Sequence, residues 1–486
     1  MSEERAFAGV PLVVWNAVAM LAARLAPPVF SFAINVAIAR LYGAGALGSY
    51  VWVLSLLVIF QTVAGAGMTL LVTREIAARP GDAAALVVQA RTIGVATGLG
   101  ATALFLVIAF FSSDATSALA AAALAPSLLP SAWIAVQEAY FVAHRRHHAV
   151  TAVAIAENAV KLALAALALA AGGGLVGVCG AITAARVVAL AFGQRLMARA
   201  GCRPGWRLAI RDSAPLARAL PPFGAMLVVA MLFFRVDVLV VGLLRGEHDT
   251  GVYGAAVTLY TVALLLPDSA MSAVFPRLAA SFQSGRAGAA TATLLTAKLL
   301  AIALVPVAVA LIDLADPVLH LVYGARFADA APALRMLAAS LPVHAVNAAF
   351  GQALQAGGHQ RAILAVAVLG TALHAVVTCA LVALLGIEGA PIAVLFSSSV
   401  VAVLGAAVFH LRVAPIRIGL RSVCAVSAVA GPVALALLAP ARLELAATVA
   451  GAVWLACALG ARQVLGSDEI AEMARVLRPG RMEARA

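Results

Sequence analysis

The chain has 486 residues, of which 64% are hydrophobic and only 11% charged, with a formal net charge of +12. A soluble domain carries roughly twice that share of charged residues, so composition excludes an ordinary globular enzyme. The five cysteines (Cys179, Cys202, Cys379, Cys424, Cys457) form no CxxC pair and no metal spacing, which excludes a disulfide framework and calls for no metal or other cofactor.

A membrane helix needs about 20 mostly apolar residues. Stretches of that kind fall near 14-40, 47-72, 84-111, 117-142, 150-171, 175-194, 220-244, 252-275, 289-312, 331-356, 362-386, 390-411, 422-439 and 445-461. They predict an all-α integral membrane protein with about 14 transmembrane helices. Glu3 and Glu4 stand against a single Arg5 at the N-terminus, unlike the basic start of a cleaved signal, so the first span is expected to be retained. Lysine and arginine then gather on one side of the alternation. Arg145 and Arg146, the arginines of the long connection (Arg195, Arg199, Arg203, Arg207, Arg211, Arg218) and those of the tail (Arg475, Arg478, Arg481, Arg485) share it. Only Arg40, Arg245, Arg326 and Arg442 lie near outer ends. The positive-inside rule therefore predicts a multi-pass protein of the bacterial inner membrane with both termini cytoplasmic. It also accounts for the net charge without nucleic acid as a partner.

The chain repeats itself. Leu41-Tyr42-Gly43 followed by Gly48-Ser49-Tyr50 returns 203 residues later as Leu244-Arg245-Gly246 followed by Gly251-Val252-Tyr253. At the same offset Met68 falls on Met271 and Arg74 on Arg277. Six spans separate the copies, an even number, so the repeat is parallel. The expected organisation is two pseudo-symmetric six-helix lobes, 1-194 and 220-411, joined by a basic cytoplasmic linker at 195-219. Two further spans at 412-465 and a cytoplasmic tail at 466-486 follow. Pro27 and Pro28 predict a bend in the first span.

A charge at mid-membrane is costly and faces a cavity or a partner. Glu157 and Lys161 are one turn apart in the favourable order for an ion pair, so they either neutralise each other or take part in ion coupling. Arg235 and Asp237 are two residues apart and point to opposite sides of a helix. Arg91 and Arg335 are expected to snorkel, and His344 and His374 to be polar packing residues. Glu138 and Asp268 are expected to be solvated from the cytoplasm. The deepest remaining set is Arg24, Arg186, Arg235 and Lys298 against Asp237. That balance favours an anionic ligand, and arginine matches phosphate in a bidentate way.

At these residues the chain resembles the polysaccharide-export, or Wzx-type, oligosaccharide flippases. The resemblance runs through the Leu41-Tyr42-Gly43 turn, Gly67-Met68-Thr69 into Thr73-Arg74-Glu75, and Arg235-Val236-Asp237 with Gly242. It continues through Gly251-Val252-Tyr253-Gly254-Ala255-Ala256, Phe275-Pro276, Leu321-Val322-Tyr323-Gly324 with Phe327, and Gly351-Gln352-Ala353-Leu354-Gln355-Ala356-Gly357. It covers about residues 15-460. The resemblance implies the fold of the multidrug/oligosaccharidyl-lipid/polysaccharide (MOP) exporter superfamily, a MATE/MurJ-like arrangement. It implies transfer of an undecaprenyl-pyrophosphate-linked oligosaccharide between leaflets by alternating access, with Arg235 and Asp237 facing the central cavity. The expected partners are that lipid-linked substrate, membrane lipids, an H+ or Na+ counter-ion, and the polymerase or glycosyltransferases of the pathway. A lipid II flippase is the close alternative and a multidrug antiporter a third. An enzyme is disfavoured because the longest outer loop, 313-330, offers only Asp313, Asp316 and Asp329 as a solvated face.

Overall fold

The computed structural model describes residues 12–112, 115–205 and 208–416, with side chains over 28–111, 115–205 and 208–416. The expected spans at 422-439 and 445-461, the tail, Cys424 and Cys457 lie outside the described residues. Among those described there are α-helices, short 3-10 turns and no strand. In chain order the helices are α1 (Leu12–Gly65), α2 (Met68–Ala78), α3 (Ala83–Ser112), α4 (Ala115–Leu124), α5 (Leu128–Ala143), α6 (His147–Ala170) and α7 (Gly174–Arg199). There follow α8 (Ala214–Ala219), α9 (Pro221–Phe233), α10 (Val236–Ser281), α11 (Gly285–Asp313), α12 (Ala315–Tyr323), α13 (Ala331–Ala339), α14 (Leu341–Ala356), α15 (Gln360–Leu385) and α16 (Gly389–Arg412). The chain forms two compact units that divide between Gly254 and Ala255, inside α10.

This is a multi-pass membrane protein. Among the described residues, eight helical runs are long and apolar enough to cross a bilayer, and three of them are 51, 78 and 53 residues long. At about 20 residues per crossing, each of those three holds more than one pass. Large apolar side chains such as Phe110, Phe111, Leu384 and Leu411 are exposed, as lipid-facing positions must be.

The turn expected between spans one and two has a local cause, and two spans expected to be continuous, the fourth and the tenth, are divided. Spans one and two run together as α1 because their turn is a single residue, Gly43, at φ 84° and ψ −172°. Its repeat mate Gly246, inside α10, has φ 82° and ψ −173°. Only glycine visits that region without a Cβ penalty, so the repeated pattern encodes one repeated turn. The fourth span divides at a 3-10 turn holding Pro126. The tenth divides at Ser340, with Pro342 opening α14, and the Tyr260 hydroxyl meets Ser340 Oγ there at 2.8 Å.

Within the first unit the two turns meet. A Cβ at Gly48 would lie 1.8 Å from the Glu247 carbonyl oxygen, and one at Gly251 would lie 1.8 Å from that of Ala44. Ala44 and Glu247 are repeat mates, as are Gly48 and Gly251, so the contact is reciprocal backbone against backbone. Tyr50 and Tyr253, two residues on, are both fully buried. A second close approach joins the break after α1 to α9: a Cβ at Gly67 would fall 2.7 Å from the Gly224 nitrogen, and the Arg74 guanidinium sits 5.5 Å from the Phe223 ring centre.

In the second unit, Met271 and Leu278 pack with Ala289, Phe350, Leu354 and Phe409. Met271 is the repeat mate of the buried Met68.

Gly48→Val and Gly251→Val should each lower the thermal midpoint, because overpacking costs about 1–3 kcal/mol. Gly45→Ala, with nothing within 4 Å of its Cβ, should leave the midpoint unchanged or slightly raised. Thermal unfolding of the three variants in detergent checks this.

Candidate functional site

Helices α6 and α7 form a hairpin about the Gly172–Gly174 turn. Glu157 precedes that turn and Arg186 follows it by about four helical turns each, so an antiparallel pairing sets them level. Arg186 Nη1 lies 3.1 Å from Glu157 Oε1 and 3.1 Å from Oε2. Their side chains are 20% and 14% exposed, respectively. The expected Glu157–Lys161 pair is therefore not the one that forms: the carboxylate bonds across the hairpin. Lys161 Nζ instead donates to Ser31 Oγ on α1 at 3.2 Å. Arg186, expected among the cavity cations without a carboxylate of its own, has one. Arg24 lies in α1, seven residues before Ser31, and its side chain is outside the described residues.

A cavity of about 200 Å³ opens beside this pair, lined by Gln137, Glu138, Glu157 and Arg186 with Phe141 and Val153 among its apolar walls. A water takes about 30 Å³ in the liquid, so the space holds several waters or a small ion. Gln137 is 2% exposed. Its Nε2 donates to the Leu190 carbonyl at 3.0 Å, while its Oε1 has no partner. Gly193 makes room for that amide, since a Cβ there would lie 2.1 Å from Oε1. Gln137 and Gly193 were not singled out from the sequence, although a glutamine in mid-span, like an ionisable residue, is a signal of its own. Glu138, expected to be simply solvated, borders this cavity.

The seventh span is broken. Helix α9 ends at Phe233 and α10 begins at Val236, leaving Phe234 and Arg235 as a two-residue turn. Arg235 is half-buried at the break. Asp237, 5% exposed, accepts a hydrogen bond from the Tyr253 hydroxyl at 2.6 Å, and its Oδ1 has no partner. The second motif tyrosine thus serves the acid. Trp52 closes over this segment, donating from Nε1 to the Leu239 carbonyl at 3.3 Å. Its ring takes the space a Cβ at Gly242 would need.

Lys298 is in the second unit, half-buried on α11. In the same unit His374 is 1% exposed and meets Ser397 Oγ at 2.8 Å, the polar packing role expected of it. His344 Nε2 lies 3.4 Å from Asp268 Oδ1. The two expected snorkelling arginines behave differently. Arg91 is 4% exposed, donates to the Gly205 carbonyl of the linker and lies 5.9 Å from the Trp133 ring centre. Arg335 pairs with Asp316 of α12.

A family model described as a polysaccharide biosynthesis protein matches residues 13–282, and one described as MatE matches residues 222–380. No curated protein matches the sequence. Among solved structures, the lipid II flippase MurJ in an inward closed conformation is similar, with TM-score 0.76 and 12% identity over 93% of this chain and 99% of that one. An inward-facing multidrug resistance MATE transporter of the MOP superfamily gives TM-score 0.68 and 16% identity over 80% of this chain and 97% of that one. A MOP superfamily transporter from Pyrococcus furiosus, reported for the reverse polarity of its binding pocket, gives TM-score 0.62 and 16% identity over 82% of this chain and 94% of that one. The fold expected from the sequence, all-α and MATE/MurJ-like, is the fold observed.

A double-mutant cycle on Glu157→Gln and Arg186→Met should return a coupling energy within the range of about 0.5–3 kcal/mol seen for contacting residues. The cycle of Glu157→Gln with Lys161→Met should return less. Chemical or thermal unfolding of the single and double variants provides the measurement.

Proposed function

We propose that this chain, which belongs to the polysaccharide biosynthesis protein family of the MOP exporter superfamily, is a flippase for an undecaprenyl-pyrophosphate-linked oligosaccharide. It acts in the bacterial inner membrane with both termini cytoplasmic, and no covalent step is needed. The barrier is the passage of a polar headgroup through hydrocarbon, where each unpaired polar group costs several kcal/mol, on the order of 2–7. Protein charge replaces water along the route, and the prenyl chain stays in lipid.

The observation that carries this reading is the charge count at the α6–α7 hairpin. Two cations, Lys161 and Arg186, stand against the single carboxylate of Glu157, which pairs with Arg186 alone, and even an ionised Glu138 only balances them. A cationic drug gains nothing there, whereas a pyrophosphate does. Lys161, held by a serine rather than an acid, supplies the working charge, and Arg186 holds the hairpin. Arg235 adds a second contact at the break in the seventh span, where the start of α10 contributes partial positive charge. Arg24 completes the proposed cationic path within the first unit, and Lys298 is the corresponding candidate of the second unit, taken by itself. The cavity at Glu157 and the Asp237 oxygen that accepts no hydrogen bond are the places where an exchanged H+ or Na+ resets the cycle.

Lipid II is the second reading, favoured by the extent of the likeness to MurJ. Restoring capsule, O-antigen or exopolysaccharide in a flippase-deficient strain supports the first reading. Rescue of a strain depleted of its lipid II flippase, without polysaccharide rescue, would replace it with the second.

Arg235→Ala and Arg24→Ala should abolish surface polysaccharide while leaving membrane insertion intact, as seen by export assay and membrane fractionation. Wild-type export in either variant removes that residue from the path. In inverted vesicles, headgroup transport should fall when the pH gradient and membrane potential are collapsed together. Transport indifferent to both would remove the coupling role of Asp237 and Glu157.

A further inference from the structure

The end of the α5–α6–α7 group opposite the Gly172–Gly174 turn is strongly basic. Helix α5 finishes in a Schellman turn: the Arg146 N–H reaches the Phe141 carbonyl at 2.8 Å and the Arg145 N–H reaches that of Val142 at 2.9 Å. The residue in the left-handed position of such a turn is usually glycine. Here it is Arg145, at φ 56°, and its side chain is exposed. Arg146 is exposed beside it, and Arg195, Arg199 and Arg203 are exposed at and after the end of α7. No Asp or Glu occurs between 139 and 156 or between 187 and 211, so neither segment carries its own counter-charge.

The linker that follows is pinned to α3. Arg91 donates to the Gly205 carbonyl, the Ala209 N–H donates to Thr92 Oγ1 at 3.0 Å, and Ser213 Oγ donates to the Gln89 carbonyl at 3.2 Å. Held this way, the linker leaves Leu208 51% and Ile210 72% exposed, between Arg203 and Arg211. Basic residues alternating with exposed aliphatic ones are the composition of a segment lying in a membrane interface.

We propose that this end of the first unit is a docking surface for the anionic phospholipid headgroups of the surrounding bilayer. Arg145 is the central contact, and Leu208 and Ile210 enter the acyl boundary. An arginine in a strained backbone position where glycine is preferred indicates that its side chain has a use. A basic residue near an anionic surface contributes about 1 kcal/mol, roughly a fivefold change in affinity.

The test uses the purified full-length chain and spin-labelled phosphatidylglycerol or phosphatidylcholine, reading the immobilised lipid fraction. The wild type should prefer phosphatidylglycerol, and the preference should shrink as salt is raised. Arg145→Gly fits the turn and should keep or raise the thermal midpoint while weakening the preference about fivefold. Adding Arg146→Gln and Arg199→Gln should remove it. Equal binding of the two lipids by the wild type, or a preference that survives the triple variant, would overturn the proposal. So would displacement of phosphatidylglycerol by inorganic pyrophosphate at equal concentration, which would assign the surface to soluble anions. The readout is lipid binding rather than transport, so it stands apart from the substrate reading.

Discussion

The carbonyl oxygens of Ala44 and Glu247 occupy the space that side chains at Gly251 and Gly48 would fill, and the first unit is organised around that contact. Lipid tails are as apolar as leucine, so helices in a bilayer gain little by hiding apolar surface from each other. Close packing of small residues takes over that role. A backbone-to-backbone fit tolerates little rotation, so it sets the angular position of both turns at once. Tyr253 then points its hydroxyl at Asp237, and Trp52 fits against Gly242. Both arrangements depend on registers set a turn or two away.

The repeat is faithful in backbone and broken in charge. Gly43 and Gly246 share a conformation to within a few degrees, and Tyr50 and Tyr253 share burial. Yet the repeat mate of Asp237 is Ile34. The first copy carries its acid on α6 instead, at Glu157, held by Arg186. The two copies share the glycines and tyrosines that packing constrains and differ in the polar groups they carry.

Much of this was legible in the sequence, for physical reasons that also mark its limits. Helical length and apolar composition identify membrane spans because a bilayer tolerates few alternatives. Pro126 and Pro342 stand at the breaks inside the fourth and tenth spans, where proline removes a donor, yet both spans read as continuous because membrane helices tolerate proline. The break at Phe234 and Arg235 has neither proline nor glycine. Its one local sign is an acid in the first turn of the following helix, Asp237. The Glu157 partner was misassigned because the i,i+4 rule sees one helix only, whereas counting outward from Gly172–Gly174 reaches Arg186. Arg91 was expected at an interface because its depth is readable, but a carbonyl of the linker is a tertiary partner that depth alone does not reveal.

The exchange of partners at Glu157 has a chemical logic. A guanidinium offers a planar fork of fixed geometry and suits a carboxylate that must hold two helices together, while an ammonium is a compact charge on a flexible stem. Pairing Glu157 with Arg186 therefore uses the rigid cation for structure and leaves the mobile one, Lys161, bonded to a neutral hydroxyl. If Lys161 takes up a phosphate oxygen as proposed, leaving the serine breaks no ion pair, whereas leaving a carboxylate would strand a buried acid without its counter-ion. In a membrane, where breaking a buried pair is heavily penalised, a cation that must take up and release an anion in every cycle is better held by a hydroxyl than by an acid.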